Sequence, residues 1–198
     1  TVNTERSPAT GTVSAERPLA AEGNSSDTPS PATPVANAPE EAFQIRIGDR
    51  ISDGKPGPGA GSIDKPFSED VYVFSAAPRQ NVYFRMIEHS QGMSYIAWQL
   101  TDENGMEVFK QCLGCGDPGL QTLIRGGKYT LKVGNEVDRG TGIYSIQLFN
   151  VPAPDQFAMK SGGVIRDGVP GRGAGVIETP GAEDMYTFTA PPRQKVHF

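Results

Sequence analysis

Phe43 to Phe84, FQIRIGDRISDGKPGPGAGSIDKPFSEDVYVFSAAPRQNVYF, returns without a gap as Phe157 to Phe198, FAMKSGGVIRDGVPGRGAGVIETPGAEDMYTFTAPPRQKVHF, at a constant offset of 114 residues. About half of the aligned positions are identical, among them Ile51/Ile165, Asp53/Asp167, Pro56/Pro170, Gly61/Gly175, Ile63/Ile177, Glu69/Glu183, Asp70/Asp184, Tyr72/Tyr186, Phe74/Phe188 and Gln80/Gln194. A period this long marks a duplicated domain, because solenoid units run only about 20–50 residues. The second copy is incomplete at Phe198. The expectation is therefore a fragment of a longer tandem array, with self-association through the half-copy as the alternative.

Within the first copy, apolar residues alternate at every second position, the signature of strands with one buried face. Tyr72 and Phe74 share a face, as do Val82, Phe84 and Met86, with Tyr83, Arg85 and Ile87 opposite. Ile96, Trp98 and Leu100 align in the same way, and Asn104-Gly105 then signals a tight turn because both residues tolerate positive φ. Ala77 to Gln80 reads as a hairpin connection, and Gly126-Gly127 as a further tight turn before Lys128–Val133. A last strand runs from Ile143 to Phe149, and a shorter pair is expected around Phe43–Ile51. Eight or nine short strands in roughly 110 residues predict an all-β fold, an antiparallel two-sheet β-sandwich of jelly-roll-like form.

Outside the repeat the texture changes. Residues 1–42 hold six Pro and eleven Ser or Thr with no aromatic residue, too little apolar surface to offset the roughly 1–2 kcal/mol per residue that ordering costs. That segment is expected to be a disordered linker or stalk. The organisation is then 1–42 linker, 43–151 sandwich, 152–156 short linker and 157–198 incomplete second copy. Gly and Pro make up about a fifth of the 198 residues, well above the usual eighth or so, which argues against long helices. A net charge of −5 gives no electrostatic reason to expect nucleic acid or an anionic membrane as partner. No apolar run approaches the roughly 20 residues needed to span a bilayer.

The succession Gly61-x-Ile63, Glu69-Asp70-x-Tyr72-x-Phe74-x-Ala76, Gln80-x-Val82, Trp98-x-Leu100-x-Asp102-x-x-Gly105, Gly127-x-Tyr129-x-Leu131-x-Val133 and Gly142-x-Tyr144-x-x-Gln147-Leu148 resembles the bacterial pre-peptidase C-terminal domain. The resemblance spans 43–151 and, by its N-terminal part, 157–198. It implies a β-sandwich module of secreted hydrolases or surface proteins that aids secretion, substrate attachment or domain spacing. The Cys pair and the Pro/Gly-rich insert before Ile63 depart from the family's pattern.

Few residues stand in patterns that carry chemistry. Cys112 and Cys115 lack further soft ligands for zinc, and a local disulfide is the economical reading for an exported chain. The two His residues, His89 and His197, stand in no nucleophile context, and Gly-x-Ser-x-Gly does not occur, so no catalytic residue is assigned and an enzyme is not expected. Gly54 to Gly61 lacks the Gly-Lys-Ser/Thr of a phosphate loop and reads as backbone crossing between sheets. Calcium is the one cofactor the acidic clusters raise: Glu69, Asp70, Asp102, Glu183 and Asp184 are the candidate ligands, against a need for roughly six to eight oxygens. Tyr83 and Tyr95 are candidate exposed aromatic contacts for a ligand.

The expected role is a non-catalytic, extracellular tandem module for spacing, attachment or adhesion at a bacterial cell surface. The alternative is an accessory region of a larger secreted hydrolase such as a protease; a strand-exchanging filament subunit ranks lower. Expected partners are other domains of the same long chain, or a surface polysaccharide or protein.

Overall fold

The computed structural model describes residues 42–91, 93–134 and 140–197. Apart from Ala42, the expected linker at 1–42 lies outside the described residues, as does Phe198. Ten strands build the first copy: β1 (Phe43–Gln44), β2 (Arg50–Ile51), β3 (Ser62–Ile63), β4 (Glu69–Ala76), β5 (Gln80–His89), β6 (Ala97–Asp102), β7 (Glu107–Cys112), β8 (Gly119–Leu123), β9 (Gly127–Gly134) and β10 (Gly142–Val151). Two more follow, β11 (Asp155–Ala158) and β12 (Asp184–Thr187). One sheet has the order β1-β4-β9-β6-β7, and the other β2-β10-β5-β8 with β3 also on β10. The fold is an all-β sandwich.

The alternation explains the core. Tyr72, Phe74, Trp98, Leu100, Tyr129, Leu131 and Val133 come from the first sheet, and Ile51, Val82, Phe84, Tyr144, Ile146 and Leu148 from the second; all are buried in one cluster. Phe74 stacks on Tyr129 at a centroid distance of 5.8 Å, while Phe109 sets its ring edge to edge or edge to face against Phe84 at 5.1 Å and Trp98 at 5.7 Å. Each such side chain contributes roughly 1.5–3 kcal/mol by leaving water.

Pairing differs from the sequence expectation at several points. The Ala77–Gln80 turn joins no hairpin: β4 pairs with β9 in one sheet and β5 with β10 and β8 in the other. Arg79 takes φ 60°, and the chain turns a corner there so that both strands keep their apolar faces inward. Gly126-Gly127 likewise lies between strands of different sheets, β8 and β9. The Asn104-Gly105 turn does close a hairpin, β6 on β7. The Gly/Pro loop from Gly54 to Gly61 leaves β2 and returns to β3, both partners of β10, so the crossing between sheets comes after Ile63. Finally, β1 runs parallel to β4, with Phe43 opposite Tyr72, and their rings stack at 5.4 Å.

The second copy reproduces that local geometry. β11 runs parallel to β12 with Phe157 opposite Tyr186, stacked at 5.2 Å. Ala60 and Ala174 are both fully buried in their loops. The inward-facing aliphatics diverge: Ile63 is 1% exposed and Ile177 57%, because β11 and β12 form a two-stranded sheet with no second layer over them among the described residues.

Candidate functional site

The Asp70 carboxylate is buried at the heart of a polar cluster inside the fold. It stands at the start of β4, where the alternation turns its side chain inward, and it is 7% exposed. Its Oδ2 accepts from the Gly61 amide at 3.0 Å, the Tyr72 hydroxyl at 3.0 Å and the Tyr144 hydroxyl at 2.5 Å. The two tyrosine oxygens lie 2.8 Å apart, and the Gly61 amide also reaches the Tyr72 oxygen at 2.9 Å. Burial pushes the Asp70 pKa above the usual carboxyl value, opposed by the hydrogen bonds from Tyr144, Tyr72 and the Gly61 and Ser62 backbone. Burial, then the neighbouring charge of Asp70, holds the Tyr72 hydroxyl far above the ordinary tyrosine range, and Tyr144 is raised in the same direction, by burial first. Both hydroxyls are therefore protonated donors at neutral pH.

Gly61 is required by this arrangement. It adopts φ +73°, and a β-carbon there would collide with the carbonyl group of Ser52. The cluster thus ties three distant pieces together: the Gly/Pro loop through Gly61, β4 through Asp70 and Tyr72, and β10 through Tyr144. In the second copy the Gly175 amide donates to Asp184 Oδ2 at 2.9 Å and to the Tyr186 oxygen at 2.7 Å, and the Tyr186 hydroxyl donates to Asp184 at 2.7 Å. The recurrence of Glu-Asp in the sequence therefore marks a loop anchor.

The other candidate ligands for calcium have partners of their own. Glu69 pairs with Lys132 at 3.0 Å across the β4–β9 ladder. Asp102 Oδ1 accepts from the amides of Asn104 and Met106, both at 2.9 Å, and its Oδ2 faces Arg125 at 3.6 Å; the Met106 amide, followed by Asn104 and Arg125, lowers its pKa against the opposing effect of burial. Asp184 serves Gly175 and Tyr186, and Glu183 is exposed. No group of three or more His, Cys, Asp or Glu side chains that could hold a metal ion forms among the described residues.

Cys112 and Cys115 are joined by a disulfide with Cα atoms 5.3 Å apart. Between them Leu113 is fully buried and its amide donates to the Ile96 carbonyl at 2.7 Å, so the loop is pinned to the core by a side chain as well as by sulfur. Tyr83 lies on the outer face of β5, as alternation predicts, with its hydroxyl donating to Asp117 Oδ2 at 3.1 Å, and Asp117 Oδ1 takes the Met86 amide at 2.8 Å. Tyr95 is 57% exposed and ends a short helical turn before β6. His89 Nδ1 is 3.0 Å from the Ser90 carbonyl oxygen, while Ser90 Oγ takes the Ile143 amide at 3.0 Å. These groups hold loops to strands, and none of them presents an activated nucleophile. Sequence reasoning did not assign Tyr144, Gly61 or Asp117 as polar partners; Gly61 and Tyr144 stood out only as positions of the repeat and of the family pattern.

No family model matches the chain, and no curated protein matches it. Among solved structures it is similar to the pre-peptidase C-terminal domain of collagenase from Bacillus anthracis, at 24% identity over 57% of this chain and 98% of that one, with a TM-score of 0.45. It is also similar to PliG of Salmonella Typhimurium, a periplasmic lysozyme inhibitor of g-type lysozyme, at 17% identity over 54% of this chain and 98% of that one, with a TM-score of 0.34.

Proposed function

We infer that the chain is a non-catalytic, extracellular spacer module, a β-sandwich begun again 114 residues on, that holds other domains at a distance from a bacterial cell surface. The observation that carries this reading is the Asp70 cluster: buried polar groups are spent on closing a loop onto two strands, and the contacts made by Gly61 and Tyr72 are rebuilt by Gly175 and Tyr186 at Asp184. A fold that repeats its anchor repeats a mechanical unit. The resemblance to the pre-peptidase C-terminal family supports the same reading, and the Cys112–Cys115 disulfide suits an oxidising compartment. No helix among the described residues is long and apolar enough to cross a membrane.

A sandwich of about 110 residues has a radius of gyration near 13 Å and so adds on the order of 35 Å of height. The test is to insert residues 43–198 between a cell-surface anchor and a fluorescent reporter and to measure the reporter's height above the membrane. Spacing predicts a rise of that order over a direct fusion. A reporter height equal to that of the direct fusion, or hydrolysis by the chain itself, would reject the reading. Attachment to a surface polysaccharide would show in the same cells as retention by neighbours that lack the fusion.

A further inference from the structure

The one stretch of the second copy that is better covered than its counterpart is the turn at residues 179–182. Its equivalents in the first copy, Lys65, Pro66 and Phe67, are exposed, Phe67 by 64%, whereas Thr179, Pro180 and Gly181 are all partly buried; Ser68 and Ala182 are partly buried alike. The inward aliphatics Ile63 and Ile177 differ in the opposite sense. Thr179 Oγ1 is enclosed without a hydrogen-bond partner, so something has closed over this turn that is not a polar site.

What covers it is the outer face of the first copy. A β-carbon on Gly181 would lie 2.9 Å from Tyr83 Cδ2 and 3.6 Å from both Leu120 Cδ1 and Val151 Cγ2, so the backbone of Gly181 rests directly on the Tyr83 ring. Gly181 takes φ +82°, and glycine is the residue that allows both this conformation and this approach. Tyr83 is braced from its other end by Asp117. Val151 is the last residue of β10, and only Pro152-Ala153-Pro154 separates it from β11, a short Pro-flanked connection of the stiff kind. The described residues of both copies fall within one compact unit, Asn37–Phe198.

We propose that Tyr83, Leu120 and Val151 form a docking surface for the 179–182 turn of the copy that follows, a fixed joint that makes successive modules a stiff rod in place of beads on a string. This rests on the spacing role above and names the partner of the Tyr83 face: the next module of the same chain. Phe67 holds the place of Gly181 in the first copy, at φ 60°, so the same backbone conformation accepts a large side chain while the close seat does not. Substituting the first copy's residue into the second therefore breaks the joint and leaves each local fold intact.

The experiment measures residual dipolar couplings on the full 198-residue chain, comparing the wild type with Gly181→Phe and, independently, Leu120→Asp, which puts a carboxylate under the turn from an exposed strand position. In the wild type one alignment tensor should fit amides of β4, β5, β9 and β10 together with those of β12 and residues 166–176. In both variants the couplings of the second group should fall severalfold while its chemical shifts stay close to wild type away from the turn. Two separate tensors in the wild type, or one undisturbed tensor in both variants, would overturn the joint. Two tensors would still leave a flexible spacer, so the reporter-height experiment decides the spacing role separately.

Discussion

Tyr144→Phe removes one hydroxyl and keeps the ring. That hydroxyl donates to Asp70 Oδ2 at 2.5 Å and lies 2.8 Å from the Tyr72 oxygen, so the variant loses a hydrogen bond to a charged acceptor, a class worth about 1.5–3 kcal/mol. Gly61 and Tyr72 still serve the carboxylate, which keeps the loss near 2 kcal/mol, below the roughly 3–5 kcal/mol of an uncompensated buried charge. For a domain of this size that is a fall of about 8 °C in Tm. The loss should also depend on pH. Burial raises the folded-state pKa of Asp70 above its ordinary 3.8, so the folded protein binds this proton more readily than the unfolded chain. Its contribution is fully present below the unfolded value and declines as pH rises through the folded one. Tyr144 is the largest influence opposing that rise, and without it the pKa climbs further. The two proteins should therefore approach each other in stability in acid, where Asp70 is protonated in both states, and separate as pH increases. Urea unfolding followed by circular dichroism across an acid-to-neutral series reads this directly. Tyr129→Phe is the control, since its hydroxyl donates to the neutral Arg125 carbonyl at 2.8 Å; it should cost about 1 kcal/mol without the widening. A Tyr144→Phe loss that is the same at every pH, or that stays within the roughly 0.5 kcal/mol of an ordinary surface change, would refute the role given to the cluster.

Three further outcomes follow from named contacts. Gly61→Ala should cost well over the roughly 1–2 kcal/mol of a left-handed alanine, because its β-carbon also meets Ser52, whereas Gly54→Ala, at φ +71° with open space around it, should cost only that amount; urea midpoints separate the two. Removing the disulfide in a Cys112→Ser, Cys115→Ser double variant frees a four-residue loop worth at most about 2 kcal/mol, so Leu113→Ala, with its core anchor lost, should be the more damaging change at about 2–5 kcal/mol. Calcium or a chelator should leave Tm unmoved, since the acidic side chains are already paired with amides, hydroxyls, Lys132 and Arg125; a rise in Tm with added calcium would contradict that assignment of partners.

Strand positions were legible wherever one face is buried, because period-2 alternation is a local property: Tyr72 with Phe74, Val82 with Phe84, and Trp98 with Leu100 all lie inside as read. Pairing was legible at Asn104-Gly105, where the turn residues themselves signal a hairpin, but not from alternation, which serves a hairpin and a corner equally well. The Ala77–Gln80 turn therefore read as a hairpin, although it joins one sheet to the other. The parallel contact of β1 with β4 is two residues long and leaves no periodic trace. For the buried cluster, the Glu-Asp recurrence was visible, but Tyr144 is 74 positions from Asp70, and nothing local ties them. Tyr83 was placed on the outer face by alternation; the turn at Gly181 that covers it belongs to the next copy, beyond the reach of any local pattern.

The claim on which the account turns is that residues 43–151 close on themselves, with β10 pairing to β2, β3 and β5 and latching Asp70 through Tyr144. Equilibrium unfolding of that segment alone, monitored by Trp98 fluorescence and far-ultraviolet circular dichroism, tests it most directly. One cooperative transition is expected, coincident in both probes, with a stability of about 5–15 kcal/mol, and an emission that starts blue-shifted because Trp98 is fully buried. A gradual melt, non-coincident probes or a water-exposed Trp98 in the absence of urea would contradict it.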